Sequence, residues 1–238
     1  MERPAVGPDP GLLYVNSKII QPDKLSSEQY TQWYEETHIP DIFRTSGIDE
    51  AYRWQALDPA TERPYLALYP LKDISFLQSP EFKAIPVEED KLPDERQIFD
   101  FANFDTRYYQ FAQLYESKTS NSSPPEIVIS AGFTPADDED YENWYQQEHL
   151  QEISGISTWR RTERYKLFFS RENRKAPEKR TIPHPPKYLT LHFFDGDSCP
   201  EDELAKASES EWTKKNMSTM KEAQVAAFKR LSYHKKQS

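Results

Sequence analysis

The chain alternates between two hydrophobic rhythms. Segments of period two, "LLYVNSKI" (12–19), "AYRWQAL" (51–57), "YLALYPL" (65–71) and "TRYYQFAQLY" (106–115), predict β-strands rich in branched and aromatic side chains. Residues 27–38 follow a helical rhythm instead, with Tyr30, Trp33, Tyr34 and His38 on one face, and a second helix is expected near 74–85. The resulting order is β-α-β-β-α-β. The rest of the chain repeats it: "EIVISAGF" (126–133), a helix over 139–150, "STWRRTERYKLFF" (157–169), "KYLTLHFF" (187–194), a helix from about 201 to 226 and "AFKRLSYH" (227–234).

The repetition extends to individual residues. "EQYTQWYEETHI" (28–39) and "EDYENWYQQEHL" (139–150) share Y-x2-W-Y-x3-H, and each residue of the second lies 111 positions after its counterpart. "YLALYPL" also matches "YLTLHFF" (188–194). Two matches in register predict a duplicated unit, with a first half over 11–115, a linker over 116–125 whose Ser, Asn and Pro content marks a connector, and a second half over 126–238. The second half inserts a basic, Pro-rich segment over 170–187 that is expected to be a surface loop.

Local signals sharpen the helices. Ser26 with Gln29 forms a capping-box pattern, and Asp137 with Asp140 a looser one. Pro40 disfavours helix at Ile39, which predicts that the first helix ends with His38 in its last turn, where carbonyl ends favour an imidazolium. Along the strands, Leu66 and Leu68 face one layer. Tyr65, Ala67 and Tyr69 face the other, as do Tyr188, Thr190 and His192. Tyr14, Asn16 and Lys18, together with Arg53 and Gln55, alternate with apolar neighbours and are expected to line a polar-aromatic pocket. Two readings stay open: His38 or His149 exchanges a proton with a bound phenol or enol, or the histidines are packing residues in a satisfied network.

Composition narrows the chemistry. Of 238 residues 36% are hydrophobic and 13% aromatic, so the core relies on Tyr, Phe and Trp. A net charge of −10 argues against nucleic acid or an anionic membrane as partner and for a small neutral or aromatic ligand. The single cysteine, Cys199, allows no internal disulfide, and no run of about 18 apolar residues is present, so a cytoplasmic protein is expected. Metal-site spacings, Gly-rich phosphate loops and a G-x-S-x-G elbow do not occur, and no metal or cofactor is expected.

"WYEETHIPDIF" and the doubled element order resemble EthD-like proteins of the dimeric α/β-barrel (ferredoxin-like) superfamily over nearly the whole chain. The resemblance implies an α+β fold in which two ferredoxin-like halves form a pseudo-dimeric barrel within a monomer, with further oligomerisation open. His38 followed by Pro40 fits the family's H-x-P pattern, whereas Gln151 replaces the proline after His149. The implied function is a cofactor-independent lyase, isomerase or cyclase acting by acid–base chemistry on a small aromatic or polyketide-like metabolite of secondary metabolism. His38 would exchange the proton, Tyr69 would orient an oxygen, and Asn16, Lys18, Arg53, Tyr65 and Tyr188 would contact substrate, with His149 and His192 as a second catalytic pair. The alternatives are a non-catalytic small-molecule-binding or interaction protein, and an oxygenase, either cofactor-free or using haem on His192.

Overall fold

The computed structural model describes residues 8–87, 92, 97–117, 123–173, 177–181 and 184–237. Eight strands, β1 (Gly11–Ile19), β2 (Glu50–Ala56), β3 (Tyr65–Leu71), β4 (Ala102–Glu116), β5 (Ile127–Thr134), β6 (Trp159–Glu172), β7 (Tyr188–Phe194) and β8 (Glu222–Lys235), close into a barrel. The order around it is β1-β3-β2-β8-β5-β7-β6-β4, and every pairing is antiparallel. The first four strands thus run 4-1-3-2 and the last four 8-5-7-6, joined at β2–β8 and β4–β6. Short helices cover the outside, so β1, β3, β5 and β7 are buried on both faces over most of their length, whereas β8 is largely exposed. That double burial explains why "YLALYPL" is almost continuously apolar. Leu66 and Leu68 point inward, while Tyr65, Ala67 and Tyr69 pack outward under helices.

The interior is filled with side chains. Leu12, Tyr14, Trp54, Tyr109, Tyr165, Leu191, Phe193 and Phe228 belong to one buried cluster drawn from strands around the whole barrel. Two outer clusters lie between wall and helices on the side of the last four strands, and a larger one on the side of the first four.

The helices depart from the sequence reading in three places. The first does not stop at His38: α1 (Ser27–Trp33) passes into a π-helical turn, Tyr34–His38, and on into α2 (Ile39–Phe43). Pro40 sits in the first turn of α2, where its missing N–H costs little because the preceding π turn already disrupts the hydrogen-bond ladder. The repeat behaves identically, with α4 (Asp138–Trp144), a π-helical turn Tyr145–His149 and α5 (Leu150–Ser154). Secondly, the helix expected near 74–85 is a 3₁₀ turn, Ile74–Gln78, followed by α3 (Pro80–Lys83), which the Ser79 side chain caps. Thirdly, the helix expected to reach 226 splits into α6 (Glu201–Lys206) and α7 (Glu211–Thr219). Residues from Glu222 onward pair with β5 instead, beginning at Glu222 opposite Thr134.

Both helix starts carry the expected caps: Ser26 and Gln29 make a reciprocal box, and Asp137 accepts from the N–H groups of Glu139 and Asp140. The 170–187 segment is not wholly a loop, because Ser170–Glu172 complete β6 and Pro177–Lys179 form a 3₁₀ turn. Residues 174–176 and 182–183 of that segment, and 118–122 of the expected linker, lie outside the described residues. Among the described residues no helix is long and apolar enough to cross a membrane.

Candidate functional site

The π-helical turn sets the site. It widens the helix just where His38 leaves the backbone, a device frequent at functional positions. The His38 ring lies face to face on Trp33, with centroids 4.6 Å apart and planes 14° apart, and meets Tyr34 edge-on at 5.4 Å. Beyond the ring is a cavity of about 80 Å³ between the helices and the outer face of the barrel, lined by Trp33, Tyr34, His38, Tyr69, Phe104 and Arg171 among others. Tyr69 enters it from β3, on the outward side that strand alternation assigns.

Two polar atoms at this cavity are buried without a hydrogen bond among the described residues, Nδ1 of His38 and the hydroxyl of Tyr69. Desolvation, reinforced by the nearby Arg53 cation, lowers the His38 pKa to about 3. The imidazole is therefore neutral at neutral pH, which reverses the expectation of an imidazolium at a helix end: the helix continues, so no exposed carbonyls face the ring. Burial raises the Tyr69 hydroxyl well above its ordinary value, and Tyr34 rises for the same leading reason. Both stay protonated donors.

Arg53 stands behind this group. It is 1% exposed, its guanidinium lies 3.7 Å from the centre of the Tyr34 ring, and none of its nitrogens makes a hydrogen bond among the described residues. Its nearest carboxylate is Glu35 at 3.9 Å. In the repeat, Arg164 lies 4.2 Å over Tyr145 but donates to Glu142 at 2.9 and 2.7 Å and to Gln113 at 2.9 Å. Glu142 falls at the repeat position of Thr31, so the first copy lacks the carboxylate that holds the second copy's arginine.

The other candidate residues divide among separate places. Asn16 and Lys18 project to the opposite side of the wall from His38. Asn16 donates to Tyr14 at 3.3 Å and lines a cavity of about 260 Å³ with Asp105 and Arg107, and Lys18 pairs with Glu62 at 3.0 Å. The structure therefore does not bring Asn16 together with His38 and Tyr69. Tyr65 packs edge-on against Tyr30 at 5.2 Å, and Tyr188 stacks on Tyr141 at 5.1 Å. His149 and His192 meet edge-on at 5.8 Å, and Nδ1 of His192 shares a 2.9 Å hydrogen bond with Thr162. Burial lowers His149 to about 3 and His192 well below its ordinary value. With His192 only 3% exposed and its ring held between Thr162 and His149, its surroundings do not fit a haem ligand. Trp33 and Tyr34, which the Y-x2-W-Y-x3-H spacing places on the face of His38, are the direct neighbours of its ring, whereas Arg171, which also lines the cavity, carries no such signal in the sequence.

A closed eight-stranded antiparallel barrel with helices outside is the dimeric α/β-barrel architecture, and the comparisons agree. The chain aligns over 96% of its length with an anthrone oxidase-like protein, at 12% identity, 94% coverage of that chain and a TM-score of 0.56. A monooxygenase-like protein from Fusobacterium nucleatum gives 8% identity, coverage of 97% and 96%, and a TM-score of 0.56. A chlorite dismutase variant from Candidatus Nitrospira defluvii gives 8%, 94% and 92%, and 0.54. In sequence the chain is 25% identical over 196 residues to core atranone cluster protein 1 of Stachybotrys chlorohalonatus, covering 78% of this chain and 82% of that protein. No family model matches.

Proposed function

We propose that the His38 cavity performs cofactor-independent proton transfer on a small aromatic or polyketide-like metabolite, as a lyase, isomerase or cyclase. The observation that carries this reading is that His38 and Tyr69 line one cavity, among aromatic and aliphatic groups with Thr106 and Arg171, and that Nδ1 of His38 and the Tyr69 hydroxyl are both buried without a hydrogen bond among the described residues. Unsatisfied buried groups are costly, and a site that leaves two of them on residues lining one cavity is suited to a ligand that completes them. Neutral His38 accepts a proton from an acidic C–H or O–H of the substrate, and Tyr69 donates to the oxygen on which charge develops. That developing anion raises the affinity of the ring for the proton, offsetting the depression that burial and Arg53 impose.

The reading treats the barrel as two ferredoxin-like halves, 11–115 and 126–238, of EthD-like type, with the active site in the first. The relative named for the atranone cluster supports a place in secondary metabolism. The anthrone oxidase-like neighbour favours a second outcome of the same first step, in which the deprotonated, electron-rich aromatic is oxidised by dioxygen without a cofactor.

The test is deuterium uptake from D2O at the acidic carbon of anthrone-type probes, followed by NMR, with dioxygen consumption recorded in parallel. Exchange abolished in His38→Ala supports the reading. Probes recovered without exchange or conversion by any form of the protein would leave a binding protein instead.

A further inference from the structure

A cavity of about 80 Å³ holds only the reacting edge of a polycyclic ligand, so the rest must lie elsewhere. Phe82 and Arg171 line that cavity and also a larger groove of about 690 Å³. The groove runs between the Ile74–Gln78 turn with α3 on one side and the middle of β4 with the C-terminal end of β6 on the other.

Its walls are aromatic for a definable reason. Tyr108 pairs with Phe169 and Tyr109 with Leu167, so Phe168 is the extra residue of a β-bulge. A bulge breaks strict alternation and lets consecutive side chains reach the same side. Phe168 and Phe169 both line the groove and remain 58% and 46% exposed, with Tyr108 and Phe82 beside them. A ring system laid here meets aromatic faces and edges.

The protein carries −10 overall, yet among the described residues the ten that line the groove include Lys83, Arg171 and Arg180 and no Asp or Glu. The Arg171 guanidinium lies 5.6 Å from the Tyr108 ring centre and that of Arg180 5.8 Å from Phe169, which sets cations along the aromatic surface. A cationic cleft in an acidic protein selects anions by local field.

We infer that this groove binds the body of an anionic aromatic ligand, an aromatic or polyketide carboxylate or phenolate, with Arg171 and Arg180 facing its negative group and its far edge passing Phe82 toward His38. This deepens the proposed function and rests on it for the direction in which the ligand lies. It also narrows the expectation of a small neutral or aromatic ligand, drawn from net charge, to an anionic aromatic one.

Binding of anthraquinone-2-carboxylate and of its uncharged analogue 2-(hydroxymethyl)anthraquinone, measured by fluorescence quenching at low salt, tests the inference. The carboxylate is expected to bind at least about tenfold more tightly, a preference that Arg180→Gln and Arg171→Gln each reduce about fivefold or more and that rising salt weakens. Phe169→Ala is expected to weaken both probes. His38→Ala should keep the preference for the carboxylate over the uncharged probe, so that exchange chemistry undiminished in His38→Ala, with that preference intact, counts against the proposed function alone. Equal affinities for the two probes, or a preference untouched by both arginine variants in folded protein, would overturn the groove assignment even if His38-dependent exchange persists. Lost self-association in Phe168→Ser with probe binding unchanged would also overturn it, assigning the aromatic pair to a subunit contact.

Discussion

The guanidinium of Arg164 is gripped by the carboxylate of Glu142 through two charge-assisted hydrogen bonds of 2.9 and 2.7 Å, whereas Arg53, its counterpart in the first copy, has Thr31 at the repeat position of Glu142 and makes no hydrogen bond among the described residues. The same scaffold thus carries one arginine tied into the structure and one held mainly against an aromatic ring.

Substitution should expose the difference. Arg164→Met removes bonds to Glu142 and Gln113 and is expected to destabilise the fold by about 2–4 kcal/mol. Arg53→Met removes an arginine with no hydrogen bond, and the change should stay within about 1 kcal/mol in either direction. Urea unfolding of the two variants measures this, and equal losses would refute it.

Acid sensitivity follows from the histidines. His38 and His149 titrate near 6.5 when unfolded and about 3 when folded. Below 6.5 the unfolded chain takes up protons that the folded chain refuses, so their contribution is complete above that pH. It is lost as pH falls toward 3, with a limiting slope of about 1.4 kcal/mol per pH unit for each ring. His38→Gln should flatten the profile between pH 6 and 4, and Arg53→Met should move the His38 titration upward in NMR, because Arg53 contributes to its depression. An unchanged profile in His38→Gln would contradict the burial argument.

In turnover, His38→Ala is expected to reduce kcat by about 10²–10⁴, and Tyr69→Phe by roughly tenfold or more. His149→Ala should change kcat less than about threefold, since the His149 ring packs against Trp144 and His192 rather than lining the His38 cavity. Steady-state kinetics on a converted probe decide it, and a larger effect at His149 would move the site to the other copy.

The filled barrel yields a different expectation. Trp54 is completely buried among interior side chains, so Trp54→Ala should cost about 3–5 kcal/mol in thermal or urea unfolding. Residual folded protein should keep its affinity for aromatic probes, because the proposed binding surfaces lie outside the barrel wall. Selective loss of binding at full stability would place a ligand inside it.

How legible these features are in the sequence depends on what stabilises each. "YLALYPL" is readable to the residue because its alternation is enforced by two buried faces, and the doubled element order follows from such strands. Residues 222–226, "EAQVA", favour helix locally, and only pairing with β5 draws them into a strand. The π-helical turns leave no compositional mark, because they are a change in hydrogen-bond spacing rather than in residue type. His38 and Tyr69 can be nominated from spacing, yet Arg171 and Arg180 cannot: the topology carries them to Phe82, and the bulge that turns Phe168 is visible only in the register.

Closure of the barrel also sets an order of events during synthesis. β2 finds β3 at once, but its other edge is completed only by β8, with Glu50 opposite Lys235, and β5 likewise waits for β8. Until that strand has emerged, two sheet edges stand open while much of the hydrophobic wall already exists. Pairings so distant along the chain slow the final step and make it all-or-none, so newly made chains should depend on chaperones most in the interval just before β8 docks.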